Sequence, residues 1–537
     1  MLVLGMTAAL ADNPGAITVT DQKKPAGTNT TVTYEVYRIF DVAAAEDGNG
    51  GYLMDGNKYA SMTYTIASKW AGFFASGAAG ANYIVTDNDM TANNGKGYTP
   101  IVVNGVVKYI NLTSDNIATF AKAALAYSQT TPVANDGENT EGTFTNLPLG
   151  YYMVYPKGAN LNVDGYSSIV SLTTTDPTVE VVQKAEYPTL EKVDDDASVE
   201  IGQTVNYTLT SKVPDTTGFT TFDFNMHDQM TDGLTFDGAD HITVTIGSGD
   251  TAVTVPKTSV DGKNYTFAAE TPGDGFETAF KISIPVMKYQ DHVGETITVT
   301  YTATVNDKAV VNIEKNHAWL EYSNNPKNDQ EHTTTPPDEE DVFSAKIIID
   351  KYDATNTEAK LAGAKFVLRC KSVTETQTAA TKPTAQAGKY YQLTGTGTTA
   401  DPYVAHWVSE TAVDAKVTAN QAALVSDVST NGATIVETDE NGAAEFKGLE
   451  NGVYELIEVK APDGYNPIKG VAAEITVNGN NTTTTSLSYT QPVGNNSGTE
   501  LPSTGGIGTT LFYVGGGVLV LLAIVMLVTK KRMKAED

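Results

Sequence analysis

Two lysines stand where alternation calls for apolar side chains. In Pro188-Thr189-Leu190-Glu191-Lys192, a period of two puts Lys192 on the face of Leu190; in Ile347-Ile348-Ile349-Asp350-Lys351 it puts Lys351 with Ile347 and Ile349. An uncompensated ammonium on an inner face costs several kcal/mol. Burial also lowers a lysine pKa and exposes the neutral amine, a competent nucleophile. Periodicity alone leaves an outward-turned strand end equally open. A third reactive feature lies at the C-terminus: Leu501-Pro502-Ser503-Thr504-Gly505, an apolar run over residues 511–528, then Lys530-Lys531-Arg532-Met533-Lys534. The run is long enough to cross a bilayer, and the basic tail stays on the cytoplasmic side. That order places the pentapeptide just outside a membrane.

The elements that must hold these residues are strands. Segments such as Thr204-Val205-Asn206-Tyr207-Thr208-Leu209-Thr210 and Thr296-Ile297-Thr298-Val299-Thr300-Tyr301 alternate, with Gly and Asn between the runs. This predicts an all-β chain of tandem immunoglobulin-like sandwiches. One helix is expected over residues 114–127, capped by Ser114 or Asp115, with Ile117, Phe120, Ala121 and Ala124 facing inward.

The 537 residues exceed a single core, so several domains are expected. A first boundary is expected near residues 185–188, and the acidic, proline-bearing stretch TTTPPDEED over residues 333–341 marks a second. The expected plan is 12–185, 186–337 and 341–497, the last with an insertion near 371–432. Residues 498–537 follow, with the apolar span 511–528 and the basic tail 530–534. The opening MLVLGMTAALADNP reads as the apolar part of a signal peptide over residues 1–11, with Ala9-Leu10-Ala11 before a cut at Asp12. It lacks a basic leader, so a start internal to a longer precursor is expected; a short hydrophobic first strand is the other reading.

A formal net charge of −29 excludes nucleic acid and anionic membrane surfaces as partners. The single cysteine, Cys370, excludes an intrachain disulfide. None of the six histidines lies three or four residues from another, and the chain has no HExxH, P-loop or GxSxG, so turnover of an external substrate, a cofactor and a metal are all unexpected.

Leu361-Ala362-Gly363-Ala364-Lys365-Phe366, followed by Tyr454-Glu455-Leu456-Ile457-Glu458-Val459-Lys460-Ala461-Pro462-Asp463-Gly464-Tyr465, is similar to the LxGAxF and YxLxExxAPxGY signatures of CnaB-type domains in bacterial surface proteins. The resemblance implies a buried lysine that attacks an asparagine amide beside a buried glutamate, releasing ammonia and leaving an isopeptide bond. Lys351 and Glu458 fall on the matching positions. The asparagine belongs in the last strand, where Val493-Gly494-Asn495 puts Asn495 on the valine face, with Asn496 as the fallback. Burial raises a carboxyl pKa, so Glu458 can polarise the amide and shuttle protons.

A second set resembles the fimbrial isopeptide D2 domain. Its residues are Tyr207-Thr208-Leu209-Thr210 with Lys212-Val213-Pro214-Asp215, His227-Asp228-Gln229-Met230, and the ending Leu320-Glu321-Tyr322-Ser323-Asn324-Asn325-Pro326. Alternation puts Asp228 on the face of Phe222, Phe224 and Met226, and Asn324 on the face of Leu320 and Tyr322, so the expected second triad is Lys192, Asp228 and Asn324. Tyr34-Glu35-Val36-Tyr37-Arg38-Ile39-Phe40 and Leu147-Pro148-Leu149-Gly150-Tyr151-Tyr152 resemble, more loosely, the N-terminal domain of the pilins that carry such D2 domains, with no triad apparent.

The C-terminal arrangement resembles a sortase cell-wall sorting signal of Gram-positive bacteria. The resemblance implies that a sortase cysteine attacks the carbonyl of Thr504, releases Gly505 onward and passes the acyl group to an amine. The expected role is therefore a sortase-assembled backbone pilin. Its expected partners are a pilin-class and a housekeeping sortase, further copies of the chain, peptidoglycan, ancillary pilins and host ligands. The acceptor lysine of such pilins lies in a YPK-like motif at the end of the first domain. Tyr155-Pro156-Lys157 spells the motif but follows an inner strand; Lys184 lacks the spelling but sits at the last strand before Pro188, and is preferred. A singly anchored adhesin or an ancillary pilin would carry the same signal, and these are the alternatives.

Overall fold

The computed structural model describes residues 15–21, 32–44, 54–55, 58–59, 62–91, 97–113, 115–131, 133–157, 168–172, 178–183, 187–217, 219–258, 261–324, 330–373, 385–426, 431–498 and 507–533. The signal-peptide reading, Ser114, Lys184 and the Leu501 to Gly505 pentapeptide lie outside the described residues. The chain falls into two compact units. The first takes residues 1–197, 204–304 and 314–341; the second takes 198–203, 305–313 and 342–537.

The first unit holds two pairs of sheets. In the N-terminal pair, Gly15–Asp21 lies between Thr143–Leu147 and, in parallel, Thr178–Gln183. An eight-stranded sheet is centred on Tyr34–Ala44, with Gly150–Pro156 on one side and Met62–Ile66 on the other. The helix is Ile117–Thr130, and its Phe120, Ala121, Ala124 and Leu125 are buried as their spacing requires. Its N-cap position is Asn116, one residue past Asp115; the Asn116 side chain turns back to accept from Thr113 N–H. Trp70, Phe73 and Phe120 are fully buried in the same core as Tyr37 and Tyr152.

In the second pair, Glu191–Asp194, Thr204–Lys212, Thr296–Val305, Thr243–Ile246 and Val253–Val255 form one sheet. Thr266–Glu270, Thr278–Ser283, Phe224–Met230, Ile313–Ser323 and His332–Thr334 form the other. Strict burial alternation along Thr204–Lys212 and Thr296–Val305 shows why the period-two pattern was informative here.

The second unit also has two sheets. Ala345–Asp353 is central to one, antiparallel to Ala443–Leu449 and parallel to the last strand, Ser488–Asn495. Lys365–Val373 and Gly452–Lys460 are central to the other. The expected insertion does more than loop out. Tyr390–Thr394 and Val404–Val408 extend this sheet, and helix Thr411–Thr418 caps a small satellite core of Val367, Tyr390, Val413, Ile457 and Val459. After the last sheet comes a helix, Ile507–Met533, whose window Val514–Lys531 is long and apolar enough to cross a membrane.

Candidate functional site

Lys351 is fully buried, next to last in the inner-facing series of Ala345–Asp353. The parallel register sets Lys351 opposite Val493 and Asp353 opposite Asn495, so the lysine and the asparagine converge at the end of two neighbouring strands. Lys351 Nζ donates to Val493 O at 3.0 Å and to Asn495 Oδ1. Asn495 Nδ2 donates to Glu458 Oε2 at 3.1 Å and to Asn466 O at 2.8 Å. Glu458 also accepts from Ile468 N–H at 2.8 Å, and its Oε1 is 3.9 Å from Lys351 Nζ. All three side chains are at most 1 % exposed. Asn496, the fallback, is exposed.

Burial pushes the Lys351 amine down to about 8, against the opposing pull of Glu458. Burial also raises the Glu458 carboxyl, outweighing the stabilisation its anion receives from Ile468 N–H, Asn495 and Lys351. Both shifts favour the neutral pair, an amine with a free lone pair beside a carboxylic acid. The amine faces a carboxamide whose nitrogen already touches that acid. This arrangement can perform transamidation: the lysine nitrogen replaces the amide nitrogen, and ammonia leaves.

The second set is built across two facing sheets. Lys192, on Glu191–Asp194, and Asp228, on Phe224–Met230, have fully buried side chains with Nζ and Oδ2 2.6 Å apart. Lys192 Nζ also donates to the Tyr301 hydroxyl at 2.6 Å and lies 5.0 Å and 5.3 Å from the ring centroids of Tyr207 and Tyr301. Burial lowers the lysine and raises the aspartate, each opposed by the other's charge, so this pair too is driven toward its neutral form.

The asparagine brought to this pair is Asn316, not Asn324. Asn316 is fully buried, and its Nδ2 donates to the same Tyr301 hydroxyl at 2.9 Å. Asp228 stands opposite Ala318 in the sheet, two residues from Asn316. Asn324 lies six residues beyond Ala318, past the end of Ile313–Ser323, which at the rise of an extended strand is about 20 Å. Its backbone N–H goes to Glu331 O. Both asparagines share one parity, so alternation admits either; only the register with Phe224–Met230 separates them. The other residue missed is Tyr301, although a tyrosine on an otherwise aliphatic inner face is itself a signal, because its hydroxyl must find a partner.

The first sandwich holds a different cluster. Glu35, 2 % exposed, accepts from Tyr37 Oη at 2.7 Å and Asn135 Nδ2 at 3.0 Å, and its Oε1 is 3.6 Å from Lys157 Nζ. Lys157 also bonds Glu138 at 2.6 Å, and its side chain is only 11 % exposed. Burial alone would lower this lysine, but Glu138 and Glu35 outweigh it and hold the ammonium above its ordinary value. It is a locked cation and a poor nucleophile. The preferred acceptor, Lys184, follows the edge strand Thr178–Gln183 in the sequence and lies outside the described residues.

Among the described residues, no group of His, Cys, Asp and Glu side chains is arranged to hold a metal. Cys370 is buried, and burial pushes its thiol up to about 12, which makes it inert.

Residues 345–491 match the family model of a prealbumin-like fold domain, SpaA, and residues 495–535 match that of the LPXTG cell wall anchor motif. No curated protein sequence matches the chain. Among solved structures, the T6 backbone pilin of serotype M6 Streptococcus pyogenes is similar at 16 % identity over 88 % of this chain and 81 % of that one, with a TM-score of 0.47. The full-length major pilin SpaD of Corynebacterium diphtheriae is similar at 16 % identity over 91 % and 99 %, with a TM-score of 0.42. The group B streptococcus pilus 2b backbone protein is similar at 23 % identity over 58 % and 99 %, with a TM-score of 0.38.

Proposed function

We propose that this chain, a wall-anchored surface protein with a membrane-held precursor and a SpaA-type domain, is the backbone subunit of a covalently polymerised pilus. The observation that carries the reading is the Lys351, Glu458 and Asn495 constellation, set between the first and last strands of the domain nearest the anchor. A bond from Lys351 Nζ to Asn495 Cγ ties the strand that enters this domain to the strand that leaves it. A pull along the chain then runs through that amide and bypasses the rest of the sandwich. A bond from Lys192 to Asn316 does the same in the second sandwich, with Asp228 as its acid. In the chain-entropy model, closing loops of 144 and 124 residues stabilises by on the order of 5 kcal/mol each. The chemistry is a single intramolecular event per site and turns over no external substrate.

In the assembly reaction, a pilin-class sortase takes Thr504 as acyl donor and Lys184 of another copy as acceptor, and a housekeeping sortase joins the last subunit to peptidoglycan. Donor and acceptor are different groups of one chain, so joining the donor of one copy to the acceptor of the next is a heterologous contact that does not close, which builds a filament. A singly anchored adhesin would use the same anchor and the same internal bonds. Cell-wall extract run under denaturing conditions separates the two: a ladder of high mass supports the polymer, and one band of subunit mass rejects it.

A further inference from the structure

The two cross-link sites connect acid to amide differently. In the second unit Glu458 touches the amide nitrogen of Asn495 directly, at 3.1 Å. In the first unit the Asn316 nitrogen donates to the Tyr301 hydroxyl at 2.9 Å, and it is Tyr301 that donates on to Asp228 Oδ2 at 2.5 Å. Three groups meet on one phenol oxygen: the Lys192 amine at 2.6 Å, the Asp228 carboxyl and the Asn316 carboxamide. The ring is fixed by stacking on Tyr207, with centroids 5.4 Å apart, and by edge contact with Phe280.

We propose that Tyr301 is a catalytic residue of the second-domain cross-link, relaying a proton from Asp228 to the departing nitrogen of Asn316. The proposal rests on the cross-linking reading given above. Lys192 Nζ adds its lone pair to Cγ of Asn316, and the carbonyl pair moves to Oδ1. The amide nitrogen, a donor while conjugated, becomes a tetrahedral amine with its own lone pair. The hydroxyl then turns: Tyr301 gives its proton to Nδ2 and takes the proton of the neutral Asp228 carboxyl. Asp228 is refilled by the proton that Nζ must lose. The pair on Oδ1 re-forms the carbonyl, the Cγ–Nδ2 bond breaks with its electrons, and ammonia leaves. One proton has passed from Nζ to Nδ2, and Tyr301 and Asp228 end as they began.

Two further facts fit this role. Burial, and after it the Asp228 charge, hold the Tyr301 phenol well above its ordinary pKa, so it keeps a proton to give. Asp228 Oδ1 and Asn316 Oδ1 have no hydrogen-bond partner among the described residues, so the Tyr301 hydroxyl is the link between acid and amide.

The test is a time course on the full chain, made by cell-free synthesis into detergent and digested at intervals, with the joined peptides quantified by mass spectrometry. The Lys351–Asn495 peptide is the internal control, since its bonded partners are Val493, Asn466 and Ile468 and include no tyrosine. Tyr301→Phe keeps the ring and removes the hydroxyl; the Lys192–Asn316 peptide should form on the order of 100-fold more slowly, as for loss of a general acid, while the control forms at the normal rate. A parallel synthesis with fluorotyrosine changes phenol acidity without changing the packing, and should shift the rate of the Lys192–Asn316 bond and not that of the control. A Tyr301→Phe chain that joins Lys192 to Asn316 at the wild-type rate overturns the relay and leaves the cross-link standing. Slow joining in Tyr301→Phe with no response to fluorotyrosine also overturns it, because packing alone then explains the loss. Wild-type chain with no Lys192–Asn316 peptide overturns the underlying reading itself.

Discussion

Lys351 and Asn495 are held together by register: their strands run parallel, and the offset of two residues between them brings a long side chain from one strand to the short amide of the other. The third member, Glu458, comes from the opposite sheet, so the reacting groups meet only when the sandwich has closed. Cross-linking is therefore expected to report folding, and not to precede it.

The first prediction concerns mass. The folded chain should weigh less than its sequence by two ammonia molecules, one from each site. Glu458→Ala and Asp228→Ala should each restore one ammonia and lower the thermal midpoint of the domain concerned. An intact mass equal to that of the sequence would remove both bonds at once.

The second concerns pH. In an Asn495→Ala chain, Lys351 stays an amine and titrates. Its folded value of about 8 lies below the ordinary 10.5, so between these values the unfolded chain binds more protons than the folded one. Stability must then rise with pH across that window, by on the order of 3 kcal/mol in total, and the penalty is in full force below pH 8. In a wild-type chain joined as proposed, the nitrogen is an amide and this contribution is absent. Thermal midpoints measured from pH 7 to pH 10.5 should show an upward slope in Asn495→Ala that the wild type lacks; no slope in Asn495→Ala would contradict the burial of Lys351, and the same upward slope in both would contradict the bond.

Much of this was legible in the sequence because strands bury on a period of two. Lys192, Lys351 and Asp228 are placed on an inner face by counting from Leu190, Ile349 and Phe224, whereas Glu458 comes from the resemblance to the CnaB-type signature. Counting fixes a face but not a height along the strand. Alternation points to Asn324, but Asn316 satisfies the same parity, and the difference between them is register against a strand some ninety residues earlier. Tyr301 escaped for a related reason. Its alternation was plain, but the convergence of its hydroxyl with groups from three other strands is a tertiary fact. The strands Tyr390–Thr394 and Val404–Val408 were hidden by the Thr, Ala and Gly around them, whose composition reads as loop.

Asn316 and Asn324 give the third prediction. Asn316→Ala should abolish the second-domain bond, retain one ammonia and leave the Lys192–Asp228 pair buried without its electrophile. Asn324→Ala should still lose two ammonia molecules relative to its own sequence. Peptide mapping of the two variants decides between them, and loss of the bond in Asn324→Ala alone would return the role to Asn324.

The last prediction concerns the acceptor. A sortase must bring a thioester to the lysine, and the lysine must be able to lose its proton. Lys157 meets neither condition: its side chain is nearly enclosed, Glu138 and Glu35 both bind its ammonium, and freeing it would leave the buried Glu35 charge without that cation. Lys157→Arg should therefore leave the ladder intact, since arginine keeps the charge; Lys157→Ala should destabilise the first domain through Glu35. Lys184→Arg keeps charge and length but offers no usable amine, so it should reduce the ladder to monomer without altering either internal bond. A normal ladder in Lys184→Arg, lost instead in Lys157→Arg, would transfer the role to Lys157. A ladder that survives in both would assign the acceptor to neither lysine.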